Sequence, residues 1–188
     1  MLEEINHVKS TAALLYDEPS VEAAIDQMAE KINLILADRN PIFLCVMNGG
    51  MVIGGKLLTR LTIPLTVDAI NASRYQNQTS GSTIEWVLKP RTSLQSRTVL
   101  IVDDILDEGI TLQAIYRYCL EEGATSVYSA VLVDKMLDRE KPIQADFVGL
   151  SVENRYLFGY GMDYKGYLRN MPGIYACHDN FNKTDTTL

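Results

Sequence analysis

Between Val21 and Leu36 the apolar positions Val21, Ile25, Met28, Ile32 and Ile35 recur in steps of four and three. That spacing lines one face of a helix, so the pattern predicts an amphipathic helix here, with Ser20 as its N-cap. Asn40-Pro41 closes it off, because the residue before a proline is pushed out of the α region. The rhythm then changes. Ile42 to Met47 is apolar at every position, as in strands of parallel sheets covered by helices on both faces. Asn48-Gly49-Gly50 breaks this strand, and a helix-like segment runs to about Leu61. A second extended run starts after Pro64. A third, Thr98 to Val102, ends in Asp103-Asp104. Beyond a turn at Asp107 to Ile110, Leu112, Ile115, Cys119 and Leu120 form the apolar face of a helix from Thr111 to Glu122, with Gly123 as its C-cap. Val127 to Val133 reads as another buried strand ending at Asp134-Lys135. Phe147 to Val152 is a further one and leads into an aromatic segment. Ile174 to Cys177 is a last apolar piece before a polar tail.

Strands alternating with helices predict an α/β fold with an open, mainly parallel sheet and helices on both faces. With 188 residues, one domain is expected, and no internal repeat is visible. The stretch Ala72 to Trp86 is too long and polar for a simple connector, and such loops are functional lids or disordered.

Charge narrows the partners. Seventeen basic against 24 acidic residues give a net charge of −7, with no clustered Lys and Arg for nucleic acid. The longest apolar run, Ile42 to Met47, is too short to span a bilayer, so no membrane is expected. The acidic opening Met1-Leu2-Glu3-Glu4 is no secretion signal, and the odd count of three cysteines is no disulfide framework; both point to the cytoplasm. Two histidines leave little material for a His-rich metal site or a Ser-His-Asp triad.

Gly50-x4-Gly55-Lys56 imitates a nucleotide P-loop, but Leu57 stands where a magnesium-binding Ser or Thr is required. Gly54 and Gly55 are read instead as sites of close helix packing. The stronger signal is VLIVDDILDEGIT, Val99 to Thr111. Asp103, Asp104 and Asp107, with Glu108, crowd the carboxyl end of a buried strand, where open α/β sheets bind ligands. Such crowding is repulsive unless a cation or polyhydroxyl ligand sits there. The adjoining helix start offers free amides for an anion, and Thr111 adds a hydroxyl. The combination fits a molecule with sugar hydroxyls at one end and phosphate at the other.

This segment resembles the phosphoribosyl-pyrophosphate (PRPP) signature of type I phosphoribosyltransferases. From the Phe43 strand to Cys177 the chain is similar to their hypoxanthine-guanine branch. The shared elements are Leu44 to Gly50, Ser73-Arg74-Tyr75, Leu132 to Lys135, and Phe158 to Tyr164 with Arg169. The resemblance implies a core at about 38–150, a hood from about 1–20 and 151–180, and a mobile lid at about 72–87 carrying Ser73, Arg74 and Tyr75. It implies that Asp103 and Asp104 bind ribose hydroxyls and Mg2+, and that both reach one ligand because the strand ends there. Asp107 is implied as general base and acid. The loop Asp107, Glu108, Gly109, Ile110, Thr111 wraps the 5′-phosphate. Lys135 meets the purine 6-oxo group, Tyr156 stacks on the ring, and Leu157 offers backbone hydrogen bonds. Asp163 helps hold a second Mg2+ near pyrophosphate and is counted among the purine-binding residues, and Arg169 meets pyrophosphate. Asn48-Gly49 is implied as a cis peptide in the pyrophosphate loop. Two departures stand out: Asn48 replaces a common Lys or Arg, and Glu108 a common Thr or Ser, with Glu108 expected to point away from the phosphate.

The activity implied is transfer of a phosphoribosyl group from PRPP to hypoxanthine or guanine, in a homodimer or homotetramer. A PRPP- or nucleotide-sensing regulator without catalysis is the rival, opposed by the presence of Asp107, Lys135, Tyr156, Asp163 and Arg169 together. A receiver domain is set aside because its acid pair lies on the first strand, not behind about 100 residues.

Overall fold

Val21, Ile25, Met28 and Ile32 do line the buried face of a helix, α2 (Glu18–Ile35). Its cap is Asp17, not Ser20: the Asp17 carboxylate accepts from the Ser20 amide at 3.0 Å and the Ser20 hydroxyl at 2.5 Å. The helix thus starts before the first apolar position, and Pro19 sits in its first turn, where a missing amide does no harm. Each large side chain buried along α2 stabilises the fold by about 1.5–3 kcal/mol.

The computed structural model describes residues 1–75 and 83–178; the side chains of residues 73–75 and 83 lie outside that description. Before α2 come α1 (Leu2–Thr11) and β1 (Ala13–Asp17). After it follow β2 (Ile42–Val46), α3 (Gly50–Leu58), β3 (Thr66–Tyr75), β4 (Thr83–Leu88), β5 (Thr98–Leu106), α4 (Ile110–Glu121), β6 (Ser126–Met136) and β7 (Phe147–Glu153). Two short strands close the described chain, β8 (Leu157–Phe158) and β9 (Gly173–Ala176).

Six strands form one sheet in the order β4-β3-β2-β5-β6-β7. All neighbours are parallel except β3 and β4. The chain runs from β2 outward to β3, then returns to place β5 on the other side of β2. That reversal opens a crevice between the carboxyl ends of β2 and β5, where such sheets bind ligands. The sheet is covered on both faces, which explains the strands without polar alternation. On one face Phe43, Leu100, Val102 and Leu132 pack with α2 and α3. On the other, Leu44, Val99, Ile101 and Val131 pack with α4.

A second, antiparallel sheet has the order β1-β9-β8 and draws on both ends of the described chain. Here α1 rests on Phe158, Tyr164 and Leu168 through Ile5 and Val8. Glu4 fastens it further, accepting from Tyr164 Oη at 2.8 Å and Lys165 Nζ at 2.9 Å.

The P-loop look-alike is a packing feature. A Cβ on Gly54 would sit 3.0 Å from the Cys45 sulfur, so glycine lets α3 approach β2 closely. Gly55 has nothing within 4 Å, so the packing role expected of it does not hold. Lys56 pairs with Glu22 at 2.6 Å. All three cysteines are free, and burial pushes the Cys45, Cys119 and Cys177 thiols up to about 11, 12 and 11.

Glu22 is the hub where α2, α3 and the Tyr160 segment meet. It pairs with Lys56 and with Arg60 (2.5 Å) and accepts from the Tyr160 hydroxyl. Burial alone would raise its pKa, but Lys56, Tyr160 and Arg60 outweigh that and lower it from 4.5 to about 2. A depressed carboxylate stabilises the fold above its unfolded pKa and loses that effect as pH falls through its folded one. Glu22→Gln should therefore flatten the acid limb of stability between pH 4.5 and 2. Urea midpoints taken across that range check this; a variant that loses as much as the parent protein removes Glu22 as a source of the acid sensitivity.

Candidate active site

The crevice is built from the ends of β2, β5 and β6. Strand β5 does not stop at Asp103-Asp104, as expected, but continues to Leu106. The two acids reach one place for another reason. Val99 and Ile101 face α4, and Leu100 and Val102 face the α2/α3 side, yet Ile105 packs on the α2/α3 side and Leu106 on the α4 side. Strict alternation would give the opposite order. The phase slips at the acid pair, where Asp103 Oδ1 turns to accept from the Asp104 amide at 2.9 Å.

Burial raises both carboxyls. Asp103 is pushed well above the usual range, first by desolvation and then by the charge of Asp104. Asp104 is raised by desolvation and eased by its hydrogen bond with Asp103 and by Arg169. Asp104 is buried and Asp103 half-buried, and a pair so desolvated is relieved by the charge of a divalent cation or by donors such as sugar hydroxyls. Among the described residues no three metal-ligating side chains converge. The pair therefore fits a magnesium ion that takes its remaining ligands from substrate and water oxygens, as that ion commonly does.

Asp104 also touches the loop after β2. A Cβ on Gly49 would lie 2.2 Å from Asp104 Oδ2, so a side chain at 49 would have to displace the Asp104 carboxylate. The cis peptide of this loop is Met47–Asn48, one bond earlier than expected; Gly49 already has helical dihedrals at the start of α3. Asn48 is exposed at the loop tip. On the far side, a Cβ on Gly161 would meet the Gly49 carbonyl at 2.1 Å. Arg169 donates to the Gly161 carbonyl at 2.6 Å and pairs with Asp163 at 2.7 Å. The other Asp163 oxygen accepts from the Gly166 amide at 2.7 Å. Asp163, expected to help hold a second Mg2+ near pyrophosphate, is engaged by Arg169 and Gly166.

The turn after β5 carries the remaining polar groups. Parallel register sets Leu106 beside Asp134 at the last rung of the β5–β6 ladder, and Asp107 and Lys135 follow directly after them. Asp107 Oδ1 lies 3.1 Å from Lys135 Nζ, and Lys135 is only 4% exposed. Gly109 caps α4 with φ 83°, a left-handed conformation that favours glycine. The amides at the start of α4, from Ile110 and Thr111, lie at the positive end of its dipole. Glu108 is paired with Arg139 at 2.6 Å. That pairing gives the Glu108 carboxylate a cationic partner just before the start of α4.

Tyr156 is half-buried and meets Tyr164 edge-on at 5.7 Å. Burial first, then the charge of Asp163, raises its phenol pKa. Leu157 is buried in β8, and the Tyr156 carbonyl accepts from the Cys177 amide at 2.9 Å. The lid contacts expected of Ser73, Arg74 and Tyr75 lie outside the described residues; their backbone continues β3 and pairs with β4.

Residues 12–165 match the model of the phosphoribosyl transferase domain. The chain belongs to the phosphoribosyltransferase family. The hypoxanthine-guanine-xanthine phosphoribosyltransferase of Tritrichomonas foetus is 30% identical over 162 residues, 86% of this chain and 88% of that protein. The hypoxanthine-guanine phosphoribosyltransferase of Bacillus subtilis is 30% identical over 162 residues, 86% of this chain and 90% of its own. A Trypanosoma cruzi hypoxanthine phosphoribosyltransferase structure, used to study how its C-terminal region affects oligomeric state and activity, superposes with a TM-score of 0.81. It is 25% identical and the match covers 88% of this chain and 91% of that one.

Three residues of this phosphoribosyltransferase site escaped the sequence reading: Arg139, Lys141 and Pro142. Lys141 donates to the Leu106 carbonyl at 2.7 Å and to Asp134 at 2.5 Å. Pro142 stacks on Gly109, and its carbonyl accepts from Gln113 at 3.1 Å. Only the register of β5 on β6 distinguishes them from ordinary loop residues.

Proposed function

We propose that the protein is a purine salvage enzyme that moves the phosphoribosyl group of PRPP onto hypoxanthine or guanine. The bond from sugar to pyrophosphate breaks, a bond from sugar to a purine ring nitrogen forms, and the products are IMP or GMP and pyrophosphate. The observation that carries this reading is the Asp107–Lys135 pair, 3.1 Å apart, standing between the amide-lined turn and the buried acid pair.

Asp107 takes the ring proton, and its negative charge favours the oxocarbenium-like sugar that develops as pyrophosphate leaves. Lys135 offers only donors, so it selects a 6-oxo group and leaves the amino group of adenine without a partner. The amides of Asp107 to Thr111 and the Thr111 hydroxyl hold the 5′-phosphate, and Glu108 is kept aside by Arg139. Asp103 and Asp104 hold the ribose hydroxyls. Mg2+ bound at this pair would neutralise charge on the leaving pyrophosphate. Arg169 and the Asn48-Gly49 loop receive that pyrophosphate, with Asp163 orienting Arg169. Tyr156 gives the purine a flat face, and the backbone of Leu157 borders its edge. The small sheet serves as a hood, and Ser73, Arg74 and Tyr75 belong to a lid that keeps water from the reacting sugar. A cytoplasmic homodimer or homotetramer is the expected form; no helix among the described residues is long and apolar enough to cross a membrane.

The test is a panel of hypoxanthine, guanine, xanthine and adenine with PRPP and Mg2+. Nucleotide should form from hypoxanthine or guanine and not from adenine; no nucleotide from any base sinks the proposal. Lys135→Ala should raise KM for the oxopurine about 10–100-fold, the worth of a hydrogen bond to a charged group, and KM for PRPP by no more than about threefold. Equal losses for both substrates remove the assigned contact.

A further inference from the structure

The segment after β6 folds back across the turn after β5 and is fastened at several points. Arg139 pairs with Glu108 at 2.6 Å. Lys141 donates to the Leu106 carbonyl at 2.7 Å and to Asp134 at 2.5 Å. The Pro142 carbonyl accepts from Gln113 at 3.1 Å, and the Pro142 ring lies where a Cβ on Gly109 would be 3.2 Å away. These fastenings are not equal. The Arg139 side chain is 64% exposed, and a pair in that setting contributes little. The Lys141 side chain is 11% exposed, and its ammonium is shared between two strands.

Where Lys141 attaches matters more than how strongly. Leu106 immediately precedes Asp107, and Asp134 immediately precedes Lys135. The ammonium thus joins the residue before the proton acceptor to the residue before the purine-selecting lysine. Leu106 and Asp134 are register partners at the last rung of the β5–β6 ladder. Beyond that rung the ladder no longer sets how Asp107 stands against Lys135.

We propose that Lys141 is a positioning residue: it ties the ends of β5 and β6 so that Asp107 and Lys135 address the same purine. This rests on the transfer reaction proposed above. Lys141 touches neither substrate. It acts through the backbone at Leu106 and the side chain at Asp134, and so governs turnover and purine KM more than PRPP KM.

The test compares Lys141→Met, which keeps length and loses charge, with the double variant Asp134→Asn/Lys141→Met, in which no carboxylate is left unpaired. Lys141→Met should lose about 10²-fold in kcat, the scale of a catalytic group displaced by about 1 Å. It should also lower Tm. The double variant should regain Tm and remain low in kcat, which a merely structural ion pair would not do. Should Lys141→Met fail to fold, the double variant carries the measurement alone. Recovery of kcat together with Tm overturns the proposal, as does a folded Lys141→Met variant with the parent kcat and purine KM. A crystal structure of the double variant gives a reading independent of activity: the Asp107–Lys135 contact should open from 3.1 Å beyond hydrogen-bond range, and an unchanged contact overturns the tie. If the unmodified protein makes no nucleotide, the transfer reaction is what fails, and that structure still decides whether Lys141 positions the pair.

Discussion

Replacing Asp107 by asparagine lowers kcat by about 10²–10⁴-fold, the contribution of a well-placed general base, with the fold intact. Asparagine has nearly the shape of aspartate, so the turn that leads into α4 keeps its geometry. What is lost is chemistry: the amide does not take up a ring proton, and it carries no negative charge toward a cationic sugar. The loss should appear mainly in kcat, because the Asp107 side chain is the group proposed to meet the reacting atoms, while its proposed phosphate contact is through the backbone amide, which asparagine keeps, and the hydroxyl contacts lie on other residues. Lys135, 4% exposed and 3.1 Å from Asp107, also loses an anionic neighbour. A modest rise in purine KM should therefore accompany the fall in kcat. Steady-state kinetics beside a thermal melt check this. A folded variant with kcat within about threefold of the parent would exclude Asp107 from the proton transfer.

The parts of this site that sequence makes legible are those with local causes. Fully apolar strands announce a doubly covered sheet because every residue on Ile42 to Val46 and Thr98 to Val102 except the half-buried Cys45 is buried. The acidic strand tip and the Asp107 to Thr111 turn are legible because like charges gather where a helix begins. The Asp103-Asp104 geometry is not. Counting residues predicts opposite faces, and the expected remedy was an early strand end. The structure resolves it by a phase slip inside a strand that goes on to Leu106, which depends on packing against two different cores. The α2 cap was missed because Asp17 precedes the apolar period by a whole turn. The helix α1 and strand β1 left no periodic trace because they bury few residues, Ile5 and Val8 alone in α1. Glu22, Arg139 and Lys141 are charged residues on unremarkable stretches. Their partners are distant in sequence, and only the assembled layers bring them together.

Gly161→Ala should be the most damaging single-methyl change in the site. Gly161 has φ 107°, a conformation that L side chains rarely adopt, and its missing Cβ would stand 2.1 Å from the Gly49 carbonyl carbon's oxygen. Neither problem has a soft remedy. The Gly49 backbone, not a flexible side-chain tip, occupies the space, and Gly161 on its own side is held: its amide donates to the Arg169 carbonyl at 3.0 Å, and Arg169 donates to its carbonyl at 2.6 Å. Gly49 can retreat only toward the Asp104 carboxylate, which its other side already meets. Strain at such a position costs about 1–3 kcal/mol, and the collision adds to it. At about 2–4 °C per kcal/mol for a chain of this size, Tm should fall by about 6–12 °C if the two together reach about 3 kcal/mol. The relief available is to push the Gly49 loop away from Gly161, toward Asp104 and into the space proposed for pyrophosphate. PRPP KM should therefore rise more than purine KM. A variant with the parent Tm and PRPP KM would show that the Gly49–Gly161 approach constrains neither the fold nor the pyrophosphate loop.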